Sequence, residues 1–353
     1  MQSANTAQIP GKIPETPEYV RVSLAAAMTL GFVQGWFYRN ARLGCINLLM
    51  TYNGGCKANC TFCGLAGEKN QWRTGGSFIR VPWKAYVLEE VIERIIRTPS
   101  YVSRVCISMI THPRAREDVL RICRQIAFRT DKAISLLISP SVLKKDDLWK
   151  MKEAGAERIG VAIDCATERL FSQHRGKPVR GPHSWQRYWR TYEESLEVFG
   201  QGMAGVHLIC GLGETERQMV EAISRARSMG GSTHLFSFFP EPGSAMESEL
   251  PPPMGTYRRI QLARWLIDND RARVGEIEFD NQDRIVGFGI PQTDLDSIIA
   301  RGEPFETSGC PGPDGRVACN RPYGNEKPGN QIRNFPFPPN KEDVARINGE
   351  LWQ

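Results

Sequence analysis

No stretch of this sequence is long and apolar enough to cross a bilayer. The most apolar segment, Val22 to Tyr38, is interrupted by Gln34 and flanked by Arg21 and Arg39. It falls short of the roughly 20 apolar residues a span requires and predicts an amphipathic helix instead. The N-terminal residues MQSANTAQIPGKIPETPEY are polar and contain proline, so they lack the apolar centre of a secretory leader. Lysine and arginine never condense into a dense block, and the net charge is only +6. That balance gives no footprint for nucleic acid, while a mildly basic surface suits an acidic protein partner or an anionic small molecule. Ten cysteines in 353 residues are too sparse for a disulfide scaffold. Cys106, Cys123 and Cys210 sit singly in apolar runs, as small buried hydrophobes do. A reducing, cytoplasmic setting is therefore expected. Repeats and low-complexity tracts are absent as well.

What is present is a soluble globular composition, 41% hydrophobic and 24% charged, with enough chain for one large core or two ordinary ones. Short apolar strands alternate with helical patterns, the signal of βαβ units and a parallel sheet. Strands are expected near 46–52, 104–109, 133–138, 158–164, 204–209, 234–239, 276–279 and 304–308. Helices are expected near 88–97, 114–128, 144–154, 188–199, 216–229 and 255–268. Eight such units would close as an α/β (β/α)8 barrel, with chemistry at the C-terminal ends of the strands. The expected organisation is an N-terminal extension over 1–40, a barrel over 41–309 and an irregular capping tail over 310–353. The tail segment CPGPDGRVACNRPYGNEKPGNQIRNFPFPPN is rich in Pro, Gly and Asn, which favours loop over helix or strand.

Three cysteines, Cys56, Cys60 and Cys63, stand within eight residues as C-x3-C-x2-C, with Phe62 before the last. A structural zinc site would ask for a second C-x2-C or Cys/His pair, and none exists. Clustered thiolates suit an iron–sulfur cluster, whose irons favour soft sulfur. Three protein ligands on a four-iron cluster leave one iron open to another molecule. The motif follows the first expected strand by four residues, in a loop at the active face of a barrel.

Spacing, aromatic residue and loop placement together resemble the radical S-adenosylmethionine (radical SAM) superfamily. The resemblance implies a TIM-type or partial radical SAM barrel and a 4Fe-4S cluster on Cys56, Cys60 and Cys63. It also implies S-adenosylmethionine bound at the open iron and cleaved to a 5′-deoxyadenosyl radical. Phe62 is then expected near the adenine. Gly211-Leu-Gly-Glu214-Thr is similar to the GLGET segment of biotin synthase and lipoyl synthase, which implies Gly211 and Glu214 beside the cofactor; it reads equally as a strand-to-helix turn. Asp164, at the end of the fourth expected strand, is implied to approach the cofactor ribose or substrate, or else caps the next helix. His183 and Ser184 resemble a loop near the cofactor's methionine moiety, and Ser184 reads equally as a helix cap.

The biotin synthase-like group uses a second, sulfur-donating cluster held by three barrel cysteines and an arginine. Cys106 falls at the first of those positions, but Gly205 stands at the third, the third strand has no cysteine and Glu278 replaces the arginine. Cys310 and Cys319 are the alternative metal ligands, expected near the barrel mouth, with Cys165 or Cys106 as a third and Cys45 ranked lower. The segments CNRPYGNEKPG and AAAMTLGFVQGWF look like the two-component lipoyl synthases. That likeness implies sulfur insertion into an octanoyl chain on a lipoyl carrier domain or H-protein, with a second lipoyl synthase-like subunit and ferredoxin or flavodoxin as reductant. Arg316 and Arg321 are expected to steer the carrier. A radical SAM rearrangement or maturase enzyme (methylornithine synthase-like or hydrogenase-maturase-like), a biotin synthase-like sulfurtransferase and a non-catalytic cluster carrier are the other readings.

Overall fold

The computed structural model describes residues 14–67, 77–323, 329 and 331–353. The first thirteen residues of the expected extension and part of CNRPYGNEKPG lie outside them. A nine-stranded sheet runs in the order β3-β4-β1-β2-β5-β6-β7-β8-β9. Six of these strands are successive and parallel: β2 (Cys45–Leu49), β5 (Arg104–Ser108), β6 (Ala133–Ile138), β7 (Ala156–Asp164), β8 (Ala204–Cys210) and β9 (Ser232–Ser237). They read as near-continuous apolar runs such as AISLLI because both of their faces are covered. The helices α2 (Leu88–Ile96), α3 (Ala115–Arg129), α4 (Asp147–Glu153), α5 (Glu168–Arg175), α6 (Trp185–Phe199), α7 (Glu216–Ser228) and α8 (Met254–Asp268) follow in chain order. Caps set their starts: the Thr167 hydroxyl accepts from the Leu170 N–H, and Thr215 with Gln218 forms a capping box.

The fold is a partial (β/α) barrel, and the closed eight-unit form is not reached among the described residues. At the seventh expected position, 274–276 forms a 3-10 turn. Past Ile277, the last two residues of the expected strand join a separate hairpin, β10 (Glu278–Phe279) with β11 (Ile285–Gly287). At the eighth, Pro304 lies in a 3-10 turn, has no N–H for a ladder, and leaves only an isolated Glu306–Phe335 bridge. The free edge of β9 is met by Ser308, whose hydroxyl accepts from the Leu235 N–H at 2.7 Å. The other edge extends by antiparallel pairing of β1 (Tyr19–Ser23), β4 (Val81–Val87) and β3 (Ser77–Phe78). The helix expected over 22–38 therefore shrinks to α1 (Leu24–Thr29): residues 19–23 pair with both β2 and β4, and Gly31 turns the chain with φ 71°.

The tail is not uniformly irregular. After α9 (Gln292–Arg301), the segment 310–319 closes as a loop in which the N–H groups of Ala318 and Cys319 both donate to the Cys310 carbonyl, at 3.0 and 3.1 Å. The tail ends in α10 (Lys341–Leu351), started by an Asn340–Asp343 capping box. Fully buried Arg258 of α8 ties it back, donating to the carbonyls of Ile332 and Arg333 and to Glu350.

Candidate functional site

The cysteine loop leaves β2 and is held at the C-terminal ends of the strands. The Lys57 N–H donates to the Thr111 carbonyl (2.7 Å), and the Thr61 N–H donates to the His174 carbonyl (3.0 Å). His174 braces it further. Its Nε2–H donates to the Leu212 carbonyl (2.9 Å), which leaves Nδ1 bare to accept from the Thr61 hydroxyl (2.7 Å). Cys60 is buried, Cys56 and Cys63 partly so, and all three are free thiols. Burial raises the Cys60 and Cys63 thiols, and Arg175 works against that rise at Cys60.

Above the loop lies a buried polar group. Asp164 ends β7 in the left-handed region (φ 63°) and pairs with Arg175 at 3.1 Å. Arg175 also donates to the Ala162 carbonyl and to Ile163 (3.1 Å), and it stacks on Phe171 and Tyr188. Burial raises the Asp164 carboxyl while Arg175 opposes it. His183 Nδ1 is 2.7 Å from the Ser141 hydroxyl and 2.8 Å from that of Tyr188, and burial holds the ring neutral, at about 2. Glu241 accepts the Arg80 N–H at 2.7 Å, while its Oε2 has no hydrogen-bond partner among the described residues. Burial lifts this carboxyl to about 7.

A cavity of about 280 Å³ opens from this region down the barrel interior. Alternate strand residues line it, as the two-residue period requires: Asn47 and Leu49, Cys106 and Ser108, His207 and Ile209. Cys56, Cys60 and Cys63 stand at its mouth, and Cys106, Cys310 and Cys319 at its other end. This corrects the expected position of the tail cysteines. The tail loop packs on the N-terminal ends of the strands: the Ala318 carbonyl abuts Gly44, and Arg104 Nε donates to the Pro311 carbonyl at 3.0 Å. Cys45, at the start of β2, consequently joins the tail thiols. Cys45 first, and then Arg321, hold the Cys319 thiol below its ordinary range against burial. Asn47 Nδ2 lies 3.5 Å from Cys319 Sγ, and Cys310 bonds Ser135.

The remaining expected residues separate. Phe62 lines the cavity; Gly211, Glu214 and Ser184 do not. Glu214 accepts from the N–H groups of Gly211 (2.6 Å) and Leu212 (2.9 Å), so it shapes the turn whose Leu212 carbonyl receives His174. The Ser184 hydroxyl donates outward to Gln186. Cys165 is buried beside Asp164, away from the tail thiols, and Glu278 stands in the outer hairpin. Arg321 points into the cavity over Phe236, whereas Arg316 is on the exposed loop, so the pair does not flank the mouth. The residues unforeseen were Arg175, Glu241, His207 and His234. Only the histidines left a trace, as polar residues at inward-facing positions of apolar strands.

Among the described residues no three His, Cys, Asp or Glu side chains converge as a single metal ion would require. A multi-iron cluster seats its thiolates on separate irons, so a wider spacing suits it, and the all-thiol donor sets suit iron–sulfur chemistry.

Parallel strands with a three-cysteine loop at their C-terminal ends define a cluster-bearing barrel enzyme. Residues 50–226 match the family model described as the radical SAM superfamily, and the chain belongs to that superfamily. Membership carries with it a 4Fe-4S cluster and S-adenosylmethionine. Among curated proteins, the chain is 24% identical over 209 residues to biotin synthase of Aquifex aeolicus, covering 57% of this chain and 58% of that one. It is 27% identical over 130 residues to a probable GTP 3′,8-cyclase of Sulfurisphaera tokodaii, covering 37% of this chain and 38% of the relative. The chain thus spans little more than half the length of the first of these relatives. Among solved structures, coproporphyrinogen III oxidase of Escherichia coli aligns at a TM-score of 0.35 and 13% identity, over 57% of this chain and 47% of that one. No helix among the described residues is long and apolar enough to cross a membrane.

Proposed function

We propose that this protein is a radical SAM sulfurtransferase that thiolates an octanoyl chain on a lipoyl carrier protein, drawing sulfur from a second iron–sulfur cluster. The observation that carries the reading is the single cavity with three thiols at each end. Cys106 is in register with Asn47, two residue steps or about 7 Å below Leu49, the last residue of β2 before the first thiol loop. A substrate carbon between them would face both.

In this reading Cys56, Cys60 and Cys63 hold the first cluster, and Cys106, Cys310 and Cys319 hold the second, with Cys45 behind Cys319. The first cluster with S-adenosylmethionine supplies a radical able to take hydrogen from unactivated carbon, and the second supplies sulfide. Arg175, fixed by Asp164 and two backbone carbonyls, presents a guanidinium for the cofactor's carboxylate. Phe62 supports the adenine, Asp164 completes that shell, and Gly211 and Glu214 brace it through the turn that holds His174. Leu49, Met109, Leu137, Ile209 and Phe236 give an apolar passage for an alkyl chain and exclude water from it. Arg321, carried in by the tail, takes the place of the arginine missing at Glu278. The curated match to a biotin synthase agrees with sulfur chemistry, and a ferredoxin or flavodoxin is the reductant expected.

A rearranging or maturase radical SAM enzyme, which transfers no sulfur, is the second reading, and it makes the tail thiols structural. Anaerobic reconstitution separates the two. About eight irons per chain, and thiolation of an octanoylated carrier peptide that is lost in Cys310→Ala, are expected. About four irons, or full thiolation by the variant, would overturn sulfur donation by the tail site.

A further inference from the structure

Two histidines stand in the lower wall of the cavity, on neighbouring strands and directly opposite in register. His234 Nδ1 is 3.2 Å from His207 Nε2. The barrel makes room for them with two glycines. A Cβ at Gly160 would lie 3.2 Å from His207 Nε2, and one at Gly205 would lie 3.4 Å from His234 Nε2. No other hydrogen bond of either ring is found among the described residues, which leaves the outer nitrogens, His207 Nδ1 and His234 Nε2, without a partner there, and both rings line the cavity. Both rings are kept uncharged, by burial first and then by Arg321 and, at His207, the other ring.

Proton counting then fixes what the pair offers. Each neutral imidazole carries one N–H and one bare nitrogen, and one N–H is spent between the rings. Whichever ring donates, the pair is left with one outer N–H and one outer bare nitrogen. Arg321, which bears on both rings, also bears on Cys106 and Cys319, and Cys106, Cys310 and Cys319 line the same cavity as the two rings. An outer N–H left unpaired beside a sulfur-rich centre is a donor waiting for an acceptor.

We propose that the His207–His234 pair donates its free N–H to a sulfur of the centre held by Cys106, Cys310 and Cys319, raising that centre's reduction potential. The inference rests on the second-centre reading above. A hydrogen bond to cluster sulfur stabilises the reduced, more negative state, so losing it lowers the potential. The pair positions and tunes; it holds no iron itself.

The test uses the full chain with Cys56, Cys60 and Cys63 all changed to Ala, reconstituted anaerobically, so that only the second centre is loaded. With 15N-labelled histidine, the reduced centre is expected to show a weak histidine-nitrogen coupling by pulsed electron paramagnetic resonance. His207→Phe and His234→Phe are expected to retain the iron, lose that coupling and shift the midpoint potential downward. His234→Gln, which keeps an N–H, should recover part of the shift. A strong coupling of the size of direct ligation would overturn the proposal, as would an unchanged potential in both Phe variants with iron retained. If the triple-alanine chain holds no iron at all, the second-centre reading itself falls, a result distinct from those.

Discussion

Gly44→Ala tests the position of the tail without touching any thiol. Gly44 precedes β2, and a Cβ there would lie 2.7 Å from the Ala318 carbonyl oxygen and 3.0 Å from its Cα. Neither is the end of a flexible side chain. To reach the 3.4 Å of ordinary contact the tail must retreat by about 0.7 Å, carrying Cys319 with it. That movement stretches the Asn47–Cys319 contact at 3.5 Å and the bond from the Gly44 N–H to Asn320 at 3.2 Å. Overpacking of this kind costs about 1–3 kcal/mol, a fall in Tm on the order of 1–4 °C for a chain this long. The barrel mouth lies a strand length away and keeps its contacts. Expected, therefore, is a modestly destabilised protein that loads the first cluster fully and the second incompletely, read by iron and sulfide counting alongside thermal melting. Iron content and Tm both equal to the parent's would refute the docking of the tail on the barrel floor. Loss of all iron would refute the separation of the two sites.

Two further outcomes follow from the mouth of the cavity. Burial raises the Glu241 carboxyl from 4.5 to about 7, so the folded protein binds the proton more tightly than the unfolded chain. Stability contributed by the protonated form is complete below pH 4.5 and is lost as pH rises to about 7, worth about 3 kcal/mol at 1.36 kcal/mol per pH unit. Glu241→Gln should thus gain stability over the parent between pH 5 and pH 8 in denaturant melts of the cluster-free protein; an equal difference at both pH values would contradict the assignment. Arg175→Lys keeps the charge opposite Asp164 but loses the planar fork. It should retain the first cluster and weaken S-adenosylmethionine binding about tenfold or more, measured by calorimetry under anaerobic conditions. Unchanged affinity would remove Arg175 from the cofactor shell.

Local chemistry settled much of this molecule before any fold was known. The C-x3-C-x2-C loop, the alternation of apolar strands with helices and the GLGET turn are all short-range patterns: the loop follows β2, the turn follows β8, and six of the eight expected strands form. The Ala133–Ile138 strand is legible because it is buried on both faces, so an unbroken apolar run has few other uses. Elements that depend on distant partners were not legible. The strand Tyr19–Ser23 takes its place from β2 and β4, and the two last expected strands fail because the sheet opens before reaching them. The second thiol group is the sharpest case. Cys45, Cys106, Cys310 and Cys319 are separated by up to 274 residues, and only the docking of the tail on the floor of the barrel brings them together. The sequence by itself determined the three-cysteine loop and the superfamily it marks, because closely spaced ligands act through the local chain. What shares a cavity with that loop was decided by tertiary structure, since it depends on which side chains the partial barrel turns inward.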